Sequence, residues 1–128
     1  MRVYIAERSE FIRSKLVLLF AEIEGLELAG QAGSVRDATK DILRLQPDVA
    51  LVDIKLFDGN GLDLLESLQA QGLKTRAIVM TLNPHPQFRE RAMGLGVAHF
   101  IDKAKELGSI RLILGQMVAE QHVFLEAA

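Results

Sequence analysis

Five short apolar runs alternate with five stretches of helical periodicity along this 128-residue chain, and that order leaves few folds open. Val3 to Ala6 reads as a first strand. Ile12, Leu16, Leu19, Phe20 and Ile23 then recur at helical spacing as far as Gly25. Leu26 to Ala29 is a second, weaker strand. Ser34 is a good N-cap with Asp37 three residues on, and Val35, Ala38, Ile42 and Leu45 form one helical face that Pro47 ends. Val49 to Val52 is the third strand, and Leu62, Leu65 and Leu68 mark a helix closed near Gly72. Ala77 to Met80 is the fourth strand, followed by a helix after Pro84 and Pro86 that carries Phe88, Ala92 and Leu95. Val97 to Ile101 is the fifth strand, and Ile110, Ile113, Leu114, Met117 and Val118 belong to a last helix. Strands joined by helical crossovers must pair in parallel, and right-handed crossovers put helices on both faces of one sheet. The expectation is an α/β, doubly wound, five-stranded parallel sheet in the order 2-1-3-4-5.

The length suits one compact domain, and 49% hydrophobic residues supply a core for it. Residues 1–124 are read as that domain, and 125–128 as a tail or the start of a linker. The chain would then be a single-domain regulator or the front of a longer protein. Net charge is -2, which offers no basic excess for a phosphate backbone and argues against nucleic-acid binding by this domain. The absence of cysteine excludes disulfides and thiolate metal sites. No signal-peptide core and no apolar stretch near the ~20 residues of a membrane span is present, so a cytoplasmic location is expected.

Polar residues end the strands. The first strand runs into Glu7-Arg8, the third into Asp53, the fourth into Thr81 and the fifth into Asp102-Lys103. All lie on the carboxyl edge of a parallel sheet, where open α/β folds place ligands, and the order 2-1-3-4-5 makes strands one and three neighbours at the switch point. An acid, a hydroxyl and an ammonium then converge.

These segments together resemble the receiver domain of the response regulators of two-component signalling, a flavodoxin-like fold. The resemblance rests on Ala6-Glu7-Arg8 with Arg13 and Leu16, on Pro47-Asp48-Val49-Ala50-Leu51-Val52-Asp53, on Gly61-Leu62-Asp63-Leu64-Leu65, on Ile78-Val79-Met80-Thr81, and on Gly94 to Lys103. Each motif alone is weak; all of them in order span essentially the whole chain. The resemblance implies that Asp53 accepts a phosphoryl group from a histidine kinase or phosphotransfer protein, as a carboxylate nucleophile. It implies that Thr81 and Lys103 hold phosphoryl oxygens, and that Phe100 is an aromatic switch residue moving with Thr81. It implies Mg2+ held by Glu7, Asp53 and the backbone carbonyl of Lys55, with Glu7 acting through water. It implies a signalling face of helix four, strand five and helix five, used for a homodimer or a downstream protein. It implies no enzyme beyond self-phosphotransfer and autodephosphorylation.

The chain departs from the family at the metal. The usual acid pair after strand one is here Glu7-Arg8, and a guanidinium has no acceptor to offer a cation. Glu7 and Asp53 against Arg8 and Lys103 sum formally to about zero, where three acids and a lysine give about -2. Unit charges about 4 Å apart interact by roughly 4 kcal/mol at an effective dielectric near 20, so weak Mg2+ binding and slow or altered phosphorylation are expected. Arg8 either stands in for the metal, pairs with Asp53 or Glu7, or turns to solvent. Phe57 and Ala104 stand where the family has prolines, and Leu82 where it has a small residue; a cis bond at Lys103-Ala104 is not expected.

Other readings stay in view. An atypical receiver working as a phosphorylation-independent interaction module fits the same residues. An α/β enzyme or flavin carrier is disfavoured because no Gly-rich phosphate loop follows strand one. His85, His99 and His122 fall in different elements without ligand spacing. Met80, Met93 and Met117 read as core filler, and Gly59 and Gly61 as turn residues.

Overall fold

The structure, a computed structural model, describes residues 1–127, with side chains described as far as Val123. Its elements are β1 (Arg2–Ala6), α1 (Glu10–Ala21), β2 (Glu27–Ala32), α2 (Val35–Leu45), β3 (Val49–Asp53), β4 (Lys55–Leu56) and β5 (Gly59–Asn60). There follow α3 (Gly61–Ala70), β6 (Arg76–Thr81), α4 (Pro86–Gly94), β7 (His99–Asp102), α5 (Lys103–Glu106) and α6 (Ser109–Ala127). Five strands form one sheet in the order β2-β1-β3-β6-β7, every pair parallel. This is the expected doubly wound order. The expected tail at 125–128 coincides with the end of α6 and with Ala128, which lies outside the described residues.

The sheet separates two apolar layers. On one face Val3, Ile5, Leu51, Ile78 and Met80 meet Leu16 and Phe20 of α1 and Ile110, Leu114 and Met117 of α6. On the other, Tyr4, Ala50, Val52 and Val79 meet Ala38 and Ile42 of α2, Leu62, Leu65 and Leu68 of α3, and Ala92 of α4. Successive strand residues thus alternate between layers, and every residue of β3 is buried. That central position holds the carboxyl tip of β3 between β1 and β6.

Local chemistry starts the helices. Ser9 Oγ accepts from the Ile12 amide, Ser34 Oγ from Asp37 and Asn60 Oδ1 from Leu62. Gln46, in the left-handed region at φ 46°, closes α2 just before Pro47. Three differences from the sequence reading have physical causes. Strand β2 continues to Ala32, beyond Ala29, because β1 offers a backbone partner as far as Ala6. The last strand begins at His99, not Val97, since Gly96 turns the chain at φ 75° and Val97 returns its amide to Ala92 of α4. The third is a hairpin: Lys55 pairs with Asn60 and Leu56 with Gly59, two-residue strands too short to leave any periodicity.

That hairpin is seated by Gly61 more than by its turn. The Gly61 amide donates to Ile54 O at 2.7 Å, and a Cβ on Gly61 would overlap the Asp53 carbonyl oxygen and lie 2.7 Å from Val52 Cγ1. Backbone cannot yield as a flexible side chain does. Gly61→Ala is therefore expected to destabilise the domain by about 1–3 kcal/mol through overpacking. Urea unfolding of both proteins measures this, and an unchanged midpoint would refute it.

Candidate functional site

The carboxyl ends of β1, β3, β6 and β7 bring Glu7, Asp53, Thr81 and Lys103 to one cleft, and all four are buried. The cleft encloses about 300 Å³ and is also lined by Arg8, Ser9, Lys55, Leu82 and Asn83. At its centre Lys103 Nζ donates to Glu7 Oε1 at 2.6 Å and to Asp53 Oδ2 at 2.8 Å. The second oxygen of each acid faces the backbone. Ser9 N donates to Glu7 Oε2 at 2.8 Å, and Lys55 N to Asp53 Oδ1 at 3.3 Å. All four carboxylate oxygens therefore carry a protein donor, the Lys55 contact being the weakest.

The electrostatics follow from two acids sharing one base. Burial pushes the Asp53 carboxyl above the usual aspartate range; Lys103 opposes this and the Glu7 charge adds to it. Burial alone draws the Lys103 ammonium down, but its bonds to Asp53 and Glu7 outweigh that and raise it. The ammonium uses two of its three N–H donors here. Thr81 Oγ1 accepts from the Asn83 amide at 2.9 Å, and its own proton meets no acceptor among the described residues.

Of the alternatives for Arg8, the structure excludes pairing with Asp53 or Glu7. Arg8 is exposed, and its guanidinium bonds no described residue; Glu7 pairs with Lys103 instead. Arg13 shapes this corner, with Nη1 donating to Glu7 O at 2.6 Å and to Arg8 O at 3.2 Å. Phe100 is buried in the α4-side layer, with the Arg89 guanidinium 4.7 Å from its ring centre. The Lys103-Ala104 bond is trans, and Asp102 caps the short α5 by accepting from the Ala104 amide.

One positioning residue had no signal in the sequence. Asp58, in the hairpin turn, accepts from the Val35 and Arg36 amides at the start of α2, at 2.5 and 3.1 Å. These bonds hold its carboxyl below the usual range. The partners lie 22 and 23 residues away, so no local pattern announces them.

As a magnesium site the donor set fits poorly. Mg2+ wants an open octahedron of oxygens. Here both acids are already engaged by Lys103, and the position after Glu7 is a cation. No group of three or more His, Cys, Asp or Glu side chains arranged for a metal occurs among the described residues.

The family model for the response regulator receiver domain matches residues 3–114, and the chain belongs to that family. It is 29% identical over 124 residues to the uncharacterized transcriptional regulatory protein YvfU of Bacillus subtilis, covering 97% of this chain and 62% of that protein. It is 28% identical to the response regulator GacA of Pseudomonas aeruginosa, covering 94% of this chain and 56% of the other. The chain thus spans somewhat over half the length of these relatives. Among solved structures, the LuxR-family DNA-binding response regulator from Staphylococcus aureus superposes with a TM-score of 0.83 at 22% identity, over 91% of this chain and 98% of that one. The response regulator domain of Thermotoga maritima CheB gives 0.81 at 21% identity, over 94% of each. The flavin-carrier reading falls with this family assignment. No helix among the described residues is long and apolar enough to cross a membrane.

Two substitutions test the ion triad. Lys103→Met leaves two buried carboxylates without their counter-ion, at a cost of about 3–5 kcal/mol. Asp53 is raised in the folded state, so its favourable contribution is complete below its unfolded value of 3.8 and is lost as pH rises through the folded value. At neutral pH a carboxyl raised in this way is a net cost to folding. Asp53→Asn should therefore be neutral or stabilising at pH 7, with the gain shrinking as pH falls. Thermal melts of both variants between pH 7 and pH 4 check signs and order.

Proposed function

We propose that this domain accepts a phosphoryl group on Asp53 from a histidine kinase or phosphotransfer protein and relays the change to the face formed by α4, β7 and α6. The observation that carries this is the convergence of Asp53, Thr81 and Lys103 in one cleft, with donors left over. The free Thr81 proton and the third Lys103 N–H are the two groups available to oxygens that arrive with the phosphoryl group. Asp53 Oδ1, held only by the 3.3 Å contact from Lys55, is the oxygen best placed to attack. A contact made by Thr81 only after transfer shifts the population toward a second state, with Phe100 as the packed residue that responds. Arg8 and the Lys103-bound acids make Mg2+ binding weak. Residues 1–124 act as the receiver, in the cytoplasm, without enzymatic turnover of an outside substrate and without direct contact to nucleic acid. A homodimer or a downstream protein would meet the same α4-β7-α6 face.

The four engaged carboxylate oxygens favour one second reading, a phosphorylation-independent interaction module held in a fixed state by Lys103. Intact mass after incubation with acetyl phosphate separates the two. The first reading expects one added phosphoryl group in the wild type and none in Asp53→Asn. No adduct under any condition, with folded protein, would leave the second reading.

A further inference from the structure

Two cations line the cleft with nothing to bind. Arg8 and Lys55 both border it, both are exposed, and neither side chain bonds a described residue. The centre beneath them carries one formal negative charge, because the single Lys103 is shared by Glu7 and Asp53, and the two rim cations more than offset it. A cleft with satisfied acids at its floor and unsatisfied cations at its rim is built for an anion, not for a metal. Ser9, Thr81 and Asn83 add polar groups to the lining.

We propose that Arg8 and Lys55 make this cleft a metal-independent oxyanion site, supplying the positive charge that an incoming phosphoryl group requires. The inference rests on Asp53 as acceptor only for its covalent step; binding of a free oxyanion does not need it. In that step an Asp53 oxygen bonds to phosphorus while the bond from phosphorus to the acetate oxygen of acetyl phosphate breaks. Acetate leaves with the electron pair, and no proton has to be moved. The carboxylate becomes an acyl phosphate carrying one more negative charge. A planar guanidinium can take two phosphoryl oxygens at once, and the ammonium of Lys55 adds a mobile point charge. Both sit at the solvent side of the cleft, where the transferred oxygens must lie.

The test uses inorganic phosphate as the probe, in EDTA, with backbone amide shifts of Ser9, Lys55, Thr81 and Asn83 followed by NMR. Wild type should bind in EDTA, and added Mg2+ should leave the affinity unchanged. Arg8→Gln should weaken binding about tenfold, the size of one charge-assisted hydrogen bond, and Arg8→Gln with Lys55→Gln should abolish it. Arg8→Asp, which supplies a third acid, should lose phosphate binding and gain Mg2+ binding by calorimetry. Phosphate binding that needs Mg2+, or that survives in the double variant, would overturn the proposal. Absence of acyl phosphate alongside intact, metal-free phosphate binding would sink the phosphotransfer reading and leave this one standing. Acyl phosphate formed only with Mg2+ would do the reverse.

Discussion

The ammonium of Lys103 is the group on which the site depends. It links the ends of β1, β3 and β7 through Glu7 and Asp53, residues 96 and 50 positions away in the chain. Two carboxylates this deeply buried repel each other and resist desolvation, and one cation placed between them offsets part of both costs. The backbone completes the arrangement. The Ser9 amide, at the N-cap of α1, and the Lys55 amide, at the start of the hairpin, take the remaining oxygens. Sheet order, helix capping and hairpin closure all converge on that one charge balance.

The apolar layers set how well this can be done. Because β3 is buried on both faces, Asp53 cannot move without disturbing Val52 and the Gly61 contact behind it. The backbone that carries the acid is therefore close-packed, while Arg8, Lys55 and Leu82 at the rim of the cleft are all exposed.

Much of this was legible in the chain itself, for a definite reason. Each central strand is an apolar run with a polar residue at its end, so strand tips announce themselves and topology gathers them. The order of β1, β3, β6 and β7, and the meeting of Glu7, Asp53, Thr81 and Lys103, followed from that pattern. What was not legible depends on partners distant in sequence or on elements too short for periodicity. Lys55–Leu56 and Gly59–Asn60 are two residues each; Asp58 caps a helix that begins more than twenty residues earlier. Gly61 read as a turn residue, yet its requirement is the close approach of Asp53 O. Whether Glu7 would choose Arg8 or Lys103 could not be read from adjacency. Arg13 fixes the Glu7 and Arg8 carbonyls, and the buried Lys103 reaches Glu7 where the exposed Arg8 does not.

The departure at Arg8 then takes on a coherent meaning. A metal-using cleft keeps excess negative charge in reserve, and a cation must arrive before the phosphoryl group can. In this chain that reserve is smaller: Glu7, Asp53 and Lys103 sum formally to -1, where a third acid would give -2. An incoming dianion would meet repulsion at the floor and little else if the rim were neutral. The rim is instead doubly cationic, through Arg8 and Lys55. Side-chain charges of this kind need no bound ion, but they are screened by salt because they face solvent. Under the proposed oxyanion binding, such a site would exchange control by divalent ions for sensitivity to ionic strength, a consequence of moving positive charge from a bound ion to two exposed side chains.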